Sequence, residues 1–410
     1  MIKEPRVSVI IPNRDRVEEL GRALKALDFQ TYRNFETIVV SNQPDVLKSR
    51  FEEIKRVHLV RFCEANISAV RNVGIGQAAG EIIAFLDDDA VPEPKWLARL
   101  IAPFENPQVG SVGGLVRGRN GVSYQWGPQE VDCFGNDWPI PIGRDWIKEP
   151  TRSERVLKTV GTNCAFRAEP LREIGFDQAY KFFLDETDLN WRLSKLGWKS
   201  VIVPDAEVHH GYASSSYRTS ERVPKTLKEI GASKAYFCNR FGNSKFVWQE
   251  LDGFRASQKI RLVRLMELGL LTSGMFEDLL DSLEEGLIEG MDRKRGAPKL
   301  PDTSKPFQVF QQSKCHEFPT LITAGLFSRR GAHSKARALA QKGELVTVFD
   351  FSYTAQMLTV RFKNEGYWLH RGGVFGCTER NERLFKPRKM LQRIKNEAIR
   401  IAPQRDVGII

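Results

Sequence analysis

"EIIAFLDDDAVP", residues 81–92, decides how this chain is read. An apolar run of strand length ends in three consecutive carboxylates, Asp87, Asp88 and Asp89, and a proline closes the stretch. Adjacent like charges raise one another's pKa, so such a triplet is costly unless something neutralises it. Hard divalent ions such as Mg²⁺ or Mn²⁺ take carboxylate oxygens together with the phosphates of a substrate. A solvated acidic turn is the plainer alternative. The position at the carboxyl end of a strand favours the metal.

Around this stretch, apolar runs alternate with amphipathic segments up to about residue 104: "VSVIIP", "RVEELGRALKAL", "FETIVV", "VHLVRF", "NISAVRNVGIGQAAG", "EIIAFL" and "PKWLARLIAPF". Strands alternating with helices predict a parallel sheet covered on both faces. In such sheets ligands gather beyond the carboxyl ends of the strands. Three polar clusters fall there, "PNRD", "SNQPD" and "DDD", and the topology lets them converge. Residues 117–160, with Trp126, Trp138 and Trp146 among Gly, Pro and charges, read as a long functional loop suited to acceptor choice. In "FFLDETDLNWRLSKLGWKSVIVPDAEVHH", Leu189, Leu193 and Leu196 recur at helical spacing, Gly197 suits a helix end, and "KSVIVP" is a strand. Asp185, Glu186 and Asp188 therefore open a helix. There they cap it and complement its dipole, or one of them serves as a general base. Alternation along the strand turns His209 and His210 to opposite sides, so at most one joins the carboxylates.

Sixty-two Lys and Arg against 51 Asp and Glu give a net charge of +11, which favours polyanionic partners or an anionic surface. A nucleic-acid role lacks a recognised module or a basic stripe interleaved with aromatics. No stretch approaches the length of a spanning helix, and six scattered cysteines without a C-x-x-C pair argue against a zinc site or a disulfide framework. A reducing cytoplasm is expected, with a peripheral place at the inner face of a membrane left open.

The blocks "RNVGIGQAAGEIIAFLDDDAVPEPKWL", "GTNCAFRAEPLREIGFD" and "FFLDETDLNWRLSKLGWKSVIVPDAEVHH", in this order and spacing, resemble the family 2 glycosyltransferases with a GT-A fold, over roughly residues 5 to 212. The resemblance implies an α/β domain, Rossmann-like with a mostly parallel mixed sheet. It implies inverting transfer of a hexosyl or related unit from a nucleoside-diphosphate sugar to a hydroxyl of a glycan or lipid-linked glycan, as in surface polysaccharide biosynthesis. By that resemblance Asp89 and His210 hold Mn²⁺ or Mg²⁺. Asp87 lies near the nucleoside, and Asp88, Pro12, Asn13 and Asp15 also belong to the donor site. Arg71 lies in the segment beneath the diphosphate. Glu186 is the catalytic base, with Asp185 the alternative if the register slips by one. Two departures stand out: where the family commonly has an aromatic residue and Asn before Arg this chain reads "PNRDR", and "VVSNQPD" has Ser41 and Asn42 where the family often has an acidic pair. Asn42 can still hydrogen-bond a base, but a uracil preference is no longer implied.

The expected organisation is a catalytic domain over 1–217, a helical extension and linker over 218–300, and a C-terminal accessory α/β unit over 301–410. "RASQKIRLVRLMELGLL" mixes basic residues with an apolar stripe, as interfacial helices do, although core packing explains the same stripe. The last unit reads as strand, glycine turn, helix, strand and hairpin, similar to the first half of a nucleotide-binding Rossmann-like domain. Two further readings compete: a non-catalytic nucleotide-sugar-binding protein, and a sugar-nucleotide nucleotidyltransferase. The latter needs a glycine-rich loop after the first strand, where "IIPNRDR" has no glycine.

Overall fold

The computed structural model describes residues 4–50, 56–211, 213–296, 300, 306–312, 319–325 and 328–407. Strands and helices alternate at first: β1 (Val7–Asn13), α1 (Val17–Leu27), β2 (Phe35–Ser41), α2 (Pro44–Arg50), β3 (His58–Arg61), α3 (Ile67–Gln77) and β4 (Ile82–Leu86). Then follow β5 (Ala90–Pro92), α4 (Trp96–Ile101), β6 (Val109–Arg117), β7 (Tyr124–Trp126), β8 (Gln129–Val131), β9 (Asp137–Pro139) and β10 (Val156–Lys158). The first part closes with β11 (Asn163–Arg167), α5 (Ala168–Ile174), α6 (Asp185–Lys195) and β12 (Lys199–His210).

The main sheet runs β3-β2-β1-β4-β11-β6-β12-β5, with β7 paired to β6. It is parallel from β3 to β4, and β11 then runs antiparallel to both β4 and β6. The central strands are buried on both faces. Val7, Val9 and Ile11 of β1 join Leu20, Leu24 and Leu27 of α1 on one side, while Ile10 meets Ile75, Phe85 and Phe166 on the other. The period of two in β1 and of three to four in α1 produces this division. After β1 the chain builds outward to β3, then returns to place β4 on the other flank of β1. The carboxyl ends of β1 and β4 thus flank a topological switch point.

The stretch 117–160 is less irregular than its composition suggests. It supplies β7 to the main sheet and β8, β9 and β10 to a small sheet, and its longest run without a named element is 140–155. Leu189 and Leu193 are buried as the spacing predicts, but Leu196 is 56 % exposed. It lies at the C-cap, where the chain leaves the helix towards Gly197 with φ +85°, so the stripe stops one turn earlier.

Three helices follow, α7 (Lys228–Phe241), α8 (Val247–Glu267) and α9 (Ser273–Asp292). A Cβ on Gly286 or Gly290 would stand 2.0 or 2.2 Å from backbone oxygens of α7, so these glycines permit the close α7–α9 crossing. The end of the predicted linker, 297–299, and the start of the predicted C-terminal unit, 301–305, lie outside the described residues. The last unit comprises β13 (Thr320–Ala324), α10 (Arg329–Gln341), β14 (Val346–Ser352), β15 (Thr359–Phe362), β16 (Trp368–Gly373) and α11 (Met390–Arg405). Its sheet runs β13-β14-β16-β15, with the β15–β16 hairpin as predicted, while part of the expected glycine turn, 326–327, lies outside the described residues. One face packs on α10. The other shares a core with Ala26, Phe29, Val91 and Val122 of the first part.

Candidate active site

The three polar clusters do converge. Asn13 donates to Asp88 Oδ2 at 2.9 Å, and Ser41 Oγ donates to Asn13 Oδ1 at 2.8 Å. Asn42 Nδ2 and Gln43 Nε2 both donate to Asp15 Oδ1, at 2.9 and 2.6 Å. Asp15 has φ 58°, a left-handed conformation that Asp tolerates, and this turns the loop back over the strand ends.

The acidic triplet divides its work. Asp88 is buried against Asn13 and Arg16, whose Nη1 lies 2.9 Å from its carboxylate. Burial pushes Asp88 up to about 7 against the pull of Arg16, with Asp89 and Asp87 adding to the rise. Its partners therefore make it a brace for the loop. Asp87 and Asp89 face the other way and, with His210, bring one ligand atom each within 4.8 Å of one another. His210 Nε2 lies 3.1 Å from Asp89 Oδ1, while its Nδ1 bonds Gln125 Oε1 at 2.8 Å. An amide oxygen only accepts, so Nδ1 carries hydrogen and Nε2 is aimed at the carboxylates. Burial alone would raise Asp89, but His210, Arg16 and the Ala213 N–H hold it below the usual carboxylate range.

Two hard oxygen donors and an oriented imidazole suit a divalent cation. Asp89 Oδ1 is buried between His210 Nε2 at 3.1 Å and Arg16 Nη1 at 3.6 Å, and among the described residues it accepts no well-aligned hydrogen bond. His209 points away and donates through Nε2 to Glu93 Oε1 at 2.8 Å, as strand alternation predicts.

At the start of α6 the two candidate bases separate. Asp185 is buried and ion-paired with Arg71, whose guanidinium also lies 5.2 Å from the Phe176 ring centroid. Burial, with Glu186 beside it, raises Asp185 well above the ordinary range although Arg71 pulls it down. For Glu186 burial also opposes charge, but hydrogen bonding to Asp185 and the charges of Lys158 and Arg71 outweigh it and hold the carboxyl low. Glu186 is only partly buried, and among the described residues no ion pair is found for it, so it is the more accessible of the two carboxylates. Leu184, just before the helix, has φ 65°, a strained value for a bulky residue, and it aims this acidic turn.

Among the residues expected from sequence, Pro12, Asn13, Asp15, Asn42, Asp87, Asp88, Asp89 and His210 lie on these converging loops and strand ends, and Asp185, Glu186 and Arg71 form a second group. Asn13 and Asp88 are taken up in bracing one another, and Arg71 in holding Asp185. Sequence reasoning missed Arg16, Gln125 and Arg218. Arg16 stands in the quoted "PNRDR", where a cation opposite an acidic triplet was a usable signal. Gln125, in "YQW", had none. Among the described residues the buried Nε of Arg218 has no hydrogen-bond partner; burial and the cations Arg222 and Arg16 disfavour its charge, while Asp89 and Asp87 favour it. A cavity of about 300 Å³ lined by Lys95, Arg99, Trp146 and Asp205 lies apart from these carboxylates.

The mixed sheet, parallel from β3 to β4 with an acidic turn at its switch point, gives an α/β domain of GT-A architecture. Residues 8–175 match the family model described as "Glycosyl transferase family 2", and this part of the chain is a family 2 glycosyltransferase domain. The chain is 28 % identical over 250 residues to "O-antigen biosynthesis protein RfbC" of Myxococcus xanthus, covering 54 % of this chain and 18 % of that protein. It is 35 % identical over 182 residues to "Glycosyltransferase AglE" of Haloferax volcanii, covering 42 % of this chain and 55 % of that one. The chain thus spans little more than half, or less, of these relatives' length. A crystal structure of GalNAc-T7 with UDP, GalNAc and Mn²⁺ aligns at 19 % identity and TM-score 0.44, over 58 % of this chain and 51 % of that one. Among the described residues no helix is long and apolar enough to cross a membrane.

Proposed function

We propose that this chain transfers a glycosyl unit from a nucleoside-diphosphate sugar to an acceptor hydroxyl with inversion, in the assembly of a surface polysaccharide or related glycan. The carrying observation is the convergence of Asp87, Asp89 and His210 within 4.8 Å at the switch point. Asp89 and His210, with Asp87, would hold Mn²⁺ or Mg²⁺, which when bound neutralises charge developing on the diphosphate. Arg218 adds a fixed positive charge on the same side, and Arg16 keeps Asp88 and Asp89 in place. Glu186 takes the proton of the acceptor hydroxyl as its oxygen bonds the anomeric carbon. The bond from that carbon to the diphosphate breaks, and the leaving group departs from the opposite face. A single displacement of this kind inverts the centre. Asp185, tied to Arg71, holds the start of α6 and leaves Glu186 as the base. A relative named for O-antigen biosynthesis supports the glycan context.

The test is thermal stabilisation by a panel of nucleoside diphosphates with and without Mn²⁺, for the wild type and Asp89→Ala. One nucleotide that stabilises only with Mn²⁺, and not in Asp89→Ala, is the expected result and names the base. Absence of stabilisation by every nucleotide in the folded wild type would overturn the reading.

A further inference from the structure

A chain of buried charges joins the donor site to the C-terminal unit. Arg405, at the end of α11, grips Glu93 with Nε on Oε2 at 2.7 Å and Nη2 on Oε1 at 2.6 Å. The same Oε1 accepts from His209 Nε2 at 2.8 Å. On the far side, Arg405 Nη1 lies 2.7 Å from His370 Nε2, and His370 Nδ1 lies 2.6 Å from Glu397 Oε1. A guanidinium only donates, so His370 accepts at Nε2 and donates from Nδ1. The Arg405 guanidinium lies 3.6 Å from the Trp368 ring centroid, and the His209 ring lies 4.8 Å from the same ring. Arg405 and Glu93 are both almost wholly buried and stand 312 residues apart in sequence.

This clamp closes on the two strands that carry the candidate ligands. β5 has three residues, paired antiparallel to β12 with Ala90 opposite His210 and Val91 opposite His209. Asp89 immediately precedes β5 and Glu93 immediately follows it. The ladder is short even with the Glu93 N–H to Glu207 O and Gly211 N–H to Asp89 O bonds at its two ends, and a one-residue slip of β5 would turn Asp89 away from His210. The side chain of Glu93 supplies what the short ladder lacks, because it binds His209 across the pair and is itself locked by Arg405.

We propose that the C-terminal unit is part of the donor site, with Arg405 as a positioning residue that, through Glu93 and His209, holds Asp89 and His210 in register. The inference rests on the reading of Asp89 and His210 as cation ligands. A merely cementing role would lower stability and leave metal affinity alone.

The experiment measures Mn²⁺ binding to the full chain from the electron paramagnetic resonance signal of free Mn²⁺. The proteins are the wild type, Arg405→Lys, Arg405→Met and the double variant Glu93→Gln/Arg405→Met. The double variant removes both buried charges together, so neither is left stranded. The expected result is a folded double variant with Mn²⁺ affinity lowered roughly 10- to 100-fold, as for loss of groups that orient metal ligands, and a smaller loss in Arg405→Lys. Wild-type affinity in a folded double variant would overturn the inference while leaving the cation site standing. No Mn²⁺ binding by the wild type would overturn both. A second measurement needs no variant: Mn²⁺ added to the wild type should slow amide hydrogen exchange in α11 more than in α8. Unchanged exchange in α11 on Mn²⁺ binding also overturns the inference.

Discussion

Nδ1 of His210 bonds Oε1 of Gln125 at 2.8 Å, and this contact, with the Trp126 ring 5.7 Å from the imidazole, aims the opposite ring nitrogen at Asp89. Groups that orient a metal-binding histidine typically contribute 10- to 100-fold in metal affinity. Gln125→Ala is therefore expected to weaken Mn²⁺ binding by roughly tenfold and His210→Ala by more. Titration calorimetry with Mn²⁺ checks this, and equal affinity in Gln125→Ala and wild type would refute the role of Gln125.

The two carboxylates opening α6 should respond differently. Glu186→Gln is expected to keep the fold and nucleotide binding while lowering turnover by roughly 10² to 10⁴, the usual contribution of a general base. Asp185→Ala strands the buried Arg71 charge and should cost about 3–5 kcal/mol of stability. Urea denaturation beside an activity assay separates them. A stable, active Glu186→Gln would eliminate Glu186 as the base.

Among the described residues Arg218 has no hydrogen-bond partner at its buried Nε, and it stands in the field of Asp89 and Asp87. A hydrogen bond to a charged group is worth about 1.5–3 kcal/mol. Arg218→Ala should thus weaken nucleoside-diphosphate binding roughly 10- to 100-fold while leaving Mn²⁺ affinity near that of the wild type. Fluorescence titration with the stabilising nucleotide decides, and unchanged affinity would remove Arg218 from the site.

His370 carries a pH dependence. Burial, against the pull of Glu397 and with Arg405 disfavouring a further charge, lowers its pKa to about 4 from the ordinary 6.5. Between these values the unfolded chain binds the proton and the folded chain does not. Stability contributed here is therefore full above pH 6.5 and declines as the pH falls through about 4. At about 1.4 kcal/mol per pKa unit the decline amounts to about 3 kcal/mol. Chemical denaturation across this range should show a shallower slope in His370→Gln, and identical slopes would contradict the assignment.

Much of the candidate site was legible because its chemistry is local. The apolar run before Asp87, the acidic start of α6 and the alternation of His209 and His210 each follow from short-range periodicity. Leu196 shows the limit of such reading, since spacing alone does not reveal that the helix ends one residue earlier. Gln125, Arg218 and the grip of Arg405 on Glu93 were illegible, because contacts between residues far apart in sequence leave no periodic trace.

While the choice of Glu186 and His210 came from the family resemblance, the residues alone made legible the α/β class, the strand ends at which polar loops gather and the wider set of acidic and histidine candidates. These depend on hydrophobic periodicity and on side-chain chemistry written into each segment. Packing in the folded chain set Asp88 against Asn13 and Arg16, Asp89 between Arg16 and His210, and Asp185 against Arg71. It alone joined α11 to β5 and β12. The reason is physical: a buried charge takes its partner from whatever element packs against it, and packing is a property of the folded chain.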